Sequence, residues 1–115
     1  ARDPKALGAW YRTHLGIGVE DWGGAAFRWK GPDNPDGVGT TVWSPFAADT
    51  SYFAPSSAPF MINYRVDDLH AVLAALRAEG VEVVDKVDES EYGKFGWVMD
   101  PEGNKVELWQ PPAGQ

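Results

Sequence analysis

Apolar residues recur along this chain with two different periods, and the switches between them divide it into elements. Leu7, Trp10, Tyr11, His14 and Leu15 follow one another at helical spacing behind Asp3, a residue able to cap a helix, and Pro4, whose fixed φ suits a first turn. The spacing predicts an amphipathic helix over residues 4–14, closed by Gly16. Period-two alternation then predicts strands over 17–22 and 25–30, broken at Gly23-Gly24. A long turn over 31–37 precedes a β-branched and aromatic strand over 40–44. In residues 60–66, Phe60, Ile62, Tyr64 and Val66 fall on one face and Met61, Asn63 and Arg65 on the other. Asp67-Asp68 opens a second helix over 68–79, with Leu69, Val72, Leu73 and Leu76 as its buried stripe and Gly80 as its stop. Strands over 81–84, 95–99 and 105–110 follow, the last two joined by Asp100-Pro101-Glu102-Gly103-Asn104, a turn with Gly where positive φ is needed. The acidic stretch 85–91 lacks the glycine and spacing of a calcium loop and reads as a solvated, mobile segment.

The same text is written twice. Asn34-Pro35-Asp36-Gly37 leads to Trp43 and Pro45, and 66 residues later Asp100-Pro101-Glu102-Gly103 leads to Trp109 and Pro111. Asp3 and Asp67 open the two helices, and Gly16 and Gly80 close them. Two copies of one unit, each too small to enclose a core alone, are expected to share a sheet. The expected organisation is one domain over 1–115, with module one at 1–45, a connector at 46–58 and module two at 59–112. The connector is rich in Ala, Ser and Pro but carries Phe46, Tyr52 and Phe53, which predicts that it packs down onto the domain. Only Ala1-Arg2 precede Asp3, so the chain is expected to begin just after the first strand of module one.

Composition narrows the partners. Seventeen acidic and ten scattered basic residues give a net charge of −7, which repels phosphate backbones and anionic membranes and argues against nucleic acid as a partner. With no cysteine there is no disulfide, thiolate metal site or thiol nucleophile, as suits the cytoplasm. No apolar run approaches the ~20 residues of a membrane span.

Asp3-Pro4, Trp10-Tyr11 and Leu15-Gly16-Ile17 resemble the opening helix of the vicinal oxygen chelate superfamily, which includes glyoxalase I, bleomycin-resistance proteins and extradiol dioxygenases. Residues 100–108 resemble its closing hairpin. The resemblance implies an α+β fold of two βαβββ modules forming one curved mixed sheet that cups a small-molecule site, in a homodimer. In metal-dependent members the first and last strands of each module supply His or Glu ligands. Carried over, Glu107 matches the glutamate of the last strand, Thr41 takes the corresponding place in module one, and Met61 stands where a histidine would be. A hydroxyl and a thioether are poor ligands for such ions, so the expectation is no cofactor, with a divalent metal on Glu107 as the alternative.

The candidate site follows from parity. Trp43 and Trp109 share parity with Thr41 and Glu107 and are expected to wall the cup, while Met61, Asn63 and Arg65 form a strand face beside it. Arg65 offers a bidentate fork to a carboxylate or carbonyl. Glu107 reads as an orphaned metal ligand, as a general base, or as one partner of an ion pair with Arg65 or Lys105. His14 and His70, both on helices, read as helix residues rather than ligands or bases. The expected function is binding of a small aromatic or carbonyl/carboxylate ligand. The alternative is a metal-dependent lyase, isomerase or dioxygenase using Glu107.

Overall fold

The computed structural model describes residues 1–115, apart from the side chains of Asn34 and Pro35. The match of Asn34-Pro35 to Asp100-Pro101 therefore lies outside the described side chains. The chain forms two compact units, Ala1–Thr50 and Ser51–Gln115.

In the first unit, α1 (Pro4–Leu15) begins where the Asp3 carboxylate accepts the Ala6 N–H at 3.0 Å, and it stops at Gly16, whose φ of +67° few other residues tolerate. The strand expected over 17–22 does not form. Its backbone groups are spent locally: Glu20 N–H donates to the Gly24 carbonyl at 2.8 Å, Gly23 N–H donates to Glu20 at 2.9 Å, and the Arg12 guanidinium takes the Val19 carbonyl. β1 (Ala25–Gly31) and β2 (Asn34–Trp43) then pair antiparallel, with Ala25 opposite Trp43 and Phe27 opposite Thr41. Because the strands run to Gly31 and from Asn34, the long turn expected over 31–37 shrinks to Pro32-Asp33.

The second unit has the predicted β-α-β-β-β order: β3 (Ile62–Arg65), α2 (Leu69–Ala78), β4 (Val83–Ser90), β5 (Gly93–Met99) and β6 (Lys105–Gln110). Asp68 caps α2 by accepting the Ala71 N–H at 3.1 Å; the repeat had pointed to Asp67. In space the strands run β3-β6-β5-β4, with β3 parallel to β6 and the other pairs antiparallel. Leu69 and Leu73 of α2 pack on Val98 and Leu108, and Val72, Leu76, Val83, Val87 and Val106 surround them. Gly96 lets the helix approach, since a Cβ there would lie 2.9 Å from Leu73 Cδ1. The acidic stretch 85–91 is mostly strand, not loop: Val87 joins the core and Asp88 and Glu89 pair across to Phe95 and Lys94. Its charge density hid an alternation that puts carboxylates in solvent and a valine inside.

The single curved sheet expected of the two modules is not present. β1 and β2 form a two-stranded sheet, and β3 to β6 form a separate four-stranded one. A shared sheet needs ladder hydrogen bonds between strands of different modules. With residues 17–24 folded into turns, module one contributes only two strands, and they bond to each other. Trp43 and Trp109 do lie on the closing strand of their respective units.

Leu73 is 1 % exposed, so Leu73→Ala should leave a cavity and cost about 2–5 kcal/mol of stability in chemical denaturation. Asp68→Ala, which removes only a cap, should cost about 1 kcal/mol in the same measurement.

Candidate functional site

Alternation along β6 turns Val106 and Leu108 toward α2 and leaves Lys105, Glu107 and Trp109 on the opposite face. Register then assembles the rest of that face. Asn63 stands beside Glu107 and Arg65 beside Trp109 across the parallel pair, while Trp97 and Phe95 stand opposite the same two residues across the antiparallel pair. The structure thus brings together four of the residues expected at the site: Asn63, Arg65, Glu107 and Trp109.

Glu107 is 7 % exposed, and a carboxylate out of water must be solvated by protein donors. Three neutral groups supply them. Asn63 Nδ2 donates to Oε1 at 2.7 Å, and Trp97 Nε1 and the Tyr52 hydroxyl donate to Oε2 at 2.8 and 2.5 Å. The ion pair expected with Arg65 is not formed, because Arg65 donates to the Gln115 carbonyl. Lys105 reaches Glu107 only through its field, and its Nζ donates to the Tyr52 carbonyl at 2.7 Å. Burial, helped by the neighbouring Lys86, holds the Lys105 ammonium below the usual lysine range against the opposing pull of Glu107. The Tyr52 phenol is pushed well above its ordinary value by burial first, and then by its hydrogen bond to Glu107.

Tyr52 is the residue that sequence reasoning did not single out. The aromatics of the connector signalled that the segment packs down, but not onto what. The Tyr52 ring meets Trp97 edge to face, with centroids 6.0 Å apart. Together with Ser51, Val84, Lys86, Trp97 and Lys105 it lines a hollow of about 190 Å³. A wider and shallower depression of about 560 Å³ borders Tyr52, Asp88 and Phe95.

The candidates' other contacts place them as follows. Trp109 stacks on Phe95, with centroids 6.2 Å apart, and donates its indole N–H to the Tyr92 carbonyl at 2.8 Å. Gly93 makes room for it, since a Cβ there would lie 2.8 Å from Trp109 Nε1 and 2.3 Å from the Gln110 carbonyl. Met61 is half-buried just before β3. In the first unit, Thr41 is exposed and its hydroxyl accepts the Trp29 indole N–H at 3.0 Å, while the Trp43 ring lies 4.7 Å from that of Tyr11. Both histidines stay on their helices: the His14 ring rests beside Trp10, and His70 meets Glu89 at 2.6 Å on the surface.

This arrangement has relatives. Residues 1–109 match the family described as glyoxalase-like domain. The chain belongs to that family. Its glyoxalase-like fold is that of the vicinal oxygen chelate superfamily, and the same fold recurs among solved structures. One, described as an NAD-dependent benzaldehyde dehydrogenase from Legionella pneumophila, is 9 % identical with a TM-score of 0.59, over 97 % of this chain and 94 % of that one. Another, methylmalonyl-CoA epimerase from Mycobacterium tuberculosis, is 20 % identical with a TM-score of 0.57, over 97 % of this chain and 83 % of that one. At these identities the likeness is one of fold. No curated protein sequence matches the chain.

Both Glu107 oxygens accept hydrogen bonds from neutral donors, and among the described residues no group of three or more His, Cys, Asp or Glu is placed to hold an ion. No helix among the described residues is long and apolar enough to cross a membrane.

Because folding makes the Tyr52 proton harder to remove, the unfolded chain loses it first, at the ordinary value of 10.0, and stability falls as pH rises beyond that point. Ultraviolet titration of tyrosinate should show one of the four tyrosines ionising only with unfolding. Tyr52→Phe should abolish that step, and by removing a hydrogen bond to a carboxylate it should cost about 1.5–3 kcal/mol at neutral pH.

Proposed function

We propose that this glyoxalase-like domain is a binding protein of the bleomycin-resistance type. It takes a small flat molecule bearing a carbonyl or carboxylate group against the polar and aromatic face of the four-stranded sheet, without a divalent metal. The observation that carries this reading is the enclosure of Glu107 by three neutral donors, Tyr52, Asn63 and Trp97, with no group of three or more His, Cys, Asp or Glu among the described residues to hold an ion. Three neutral donors take three of the roughly four lone-pair sites of this carboxylate, so most of its charge is answered by protein groups rather than by an ion. What the face presents instead is indole and phenol surface, with cationic and amide groups at its edges. Such a surface suits stacking, with a few polar contacts to set orientation.

In this reading Glu107 and Asn63 build the floor, Trp109 and Arg65 stand at one end of the face, and Tyr52 and Lys105 stand at the other. Trp43, Thr41 and Met61 are retained as ligand-binding candidates on the strength of the repeat alone. The reading includes a homodimer, which the family resemblance implies, and a cytoplasmic setting, which the absence of cysteine suits.

Two measurements test it. Elemental analysis of protein stripped of metal and reloaded with zinc, nickel, manganese or iron should find no tight one-to-one ion. Stoichiometric metal that is lost in Glu107→Ala would promote the metal-dependent lyase, isomerase or dioxygenase alternative. Tryptophan fluorescence should be quenched by members of a panel of aromatic acids and glycopeptide antibiotics. Trp109→Ala should weaken that binding and lower stability as well, because the ring both faces ligand and packs on Phe95.

A further inference from the structure

We propose that the hollow beside Trp97 is an anion site that takes a small planar monocarboxylate between Lys86 and Lys105. The inference rests on the sheet face being a ligand-binding surface, and it gives the ligand its charge and its position. Lys105 Nζ lies 5.3 Å from the centre of the Trp97 ring and 5.4 Å from that of Tyr52, and Lys86 Nζ lies 5.9 Å from the same Trp97 ring. Two ammonium groups therefore converge on one indole in a chain whose net charge is −7. Both lysines line the same hollow and Lys86 acts on Lys105 through its field, so an anion seated there is attracted by both.

The donors suit that role. An ammonium carries three N–H groups, and the bond from Lys105 to the Tyr52 carbonyl uses one of them. Lys86 also pairs with Asp88 at 3.7 Å, an exposed and weak pair that a better placed carboxylate can replace. Ser51 adds a hydroxyl to the wall, and Val84 and Tyr52 add apolar contact for the body of the ligand.

The surrounding charges select against more highly charged anions. Asp88 flanks Lys86, and Glu107 lies close enough to Lys105 to act on it, so a dianion such as phosphate would face two carboxylates along with the two lysines. A singly charged carboxylate on a ring balances attraction against that repulsion. Arg65, the cation that sequence reasoning favoured for this task, does not line the hollow.

The test is calorimetric titration of benzoate, its neutral counterpart benzamide, and inorganic phosphate, at low salt, into the intact chain and its variants. Benzoate should bind at least tenfold more tightly than benzamide or phosphate, Lys86→Met and Lys105→Met should each weaken benzoate at least fivefold, and Lys86→Met should weaken benzoate more than it weakens benzamide. Lys105→Met also cuts the tether to Tyr52, so the exposed Lys86 carries the decisive comparison, and Lys86→Arg should restore binding. Equal affinity for benzoate and benzamide, unmoved by either methionine, would overturn the anion site while leaving the binding face in place. Phosphate binding as tightly as benzoate would overturn the monocarboxylate assignment. Failure of both aromatic probes would overturn this inference and the proposed function together.

Discussion

A carboxylate taken out of water has to be solvated by whatever replaces the water, and the second unit is organised around that requirement at Glu107. Its three donors come from β3, from β5 and from the segment that precedes β3, so one side chain on β6 ties four pieces of chain together. No donor in the set is a cation. The negative charge is held by dipoles, with Lys105 acting through its field from a bond to the Tyr52 carbonyl. Removing a donor takes a charge-assisted hydrogen bond from a buried carboxylate, so its expected cost exceeds that of an ordinary surface hydrogen bond.

The same constraint separates the two faces of the four-stranded sheet. One face is apolar and closed by α2 through Leu69 and Leu73, with Gly96 permitting close approach. The other keeps its polar groups because they satisfy one another, and it offers aromatic surface beside them. Indole, phenol and ammonium groups border the hollow on that face.

The family gives the fold a long list of chemistries, but fold alone does not choose among them. In this chain a phenol, an amide and an indole N–H surround Glu107, the buried carboxylate among the described residues.

Much of this was written in the sequence, and the reason it could be read is that it is local. Helix caps at Asp3 and Asp68, the αL stop at Gly16, the leucine stripe of α2 and the period-two faces of β3 and β6 depend on neighbours a few residues away. Parity on β6 was enough to place Glu107 and Trp109 on one face, and the doubled motif was enough to indicate the family. Sheet pairing is not local. Whether residues 17–24 bond to another strand or to themselves, and whether two modules share one ladder, depends on competition among distant backbone groups, and the expected single sheet gave way to two. The acidic strand β4 was hidden because its register is set by β5, not by its own composition. Tyr52 was hidden for the same reason: a tyrosine in a loose-looking connector becomes a ligand of Glu107 only when tertiary folding brings together residues 55 positions apart. Local periodicity determined both helices, most of the strands and the residues that share a face, and only the tertiary structure decided which distant donor answers the buried charge.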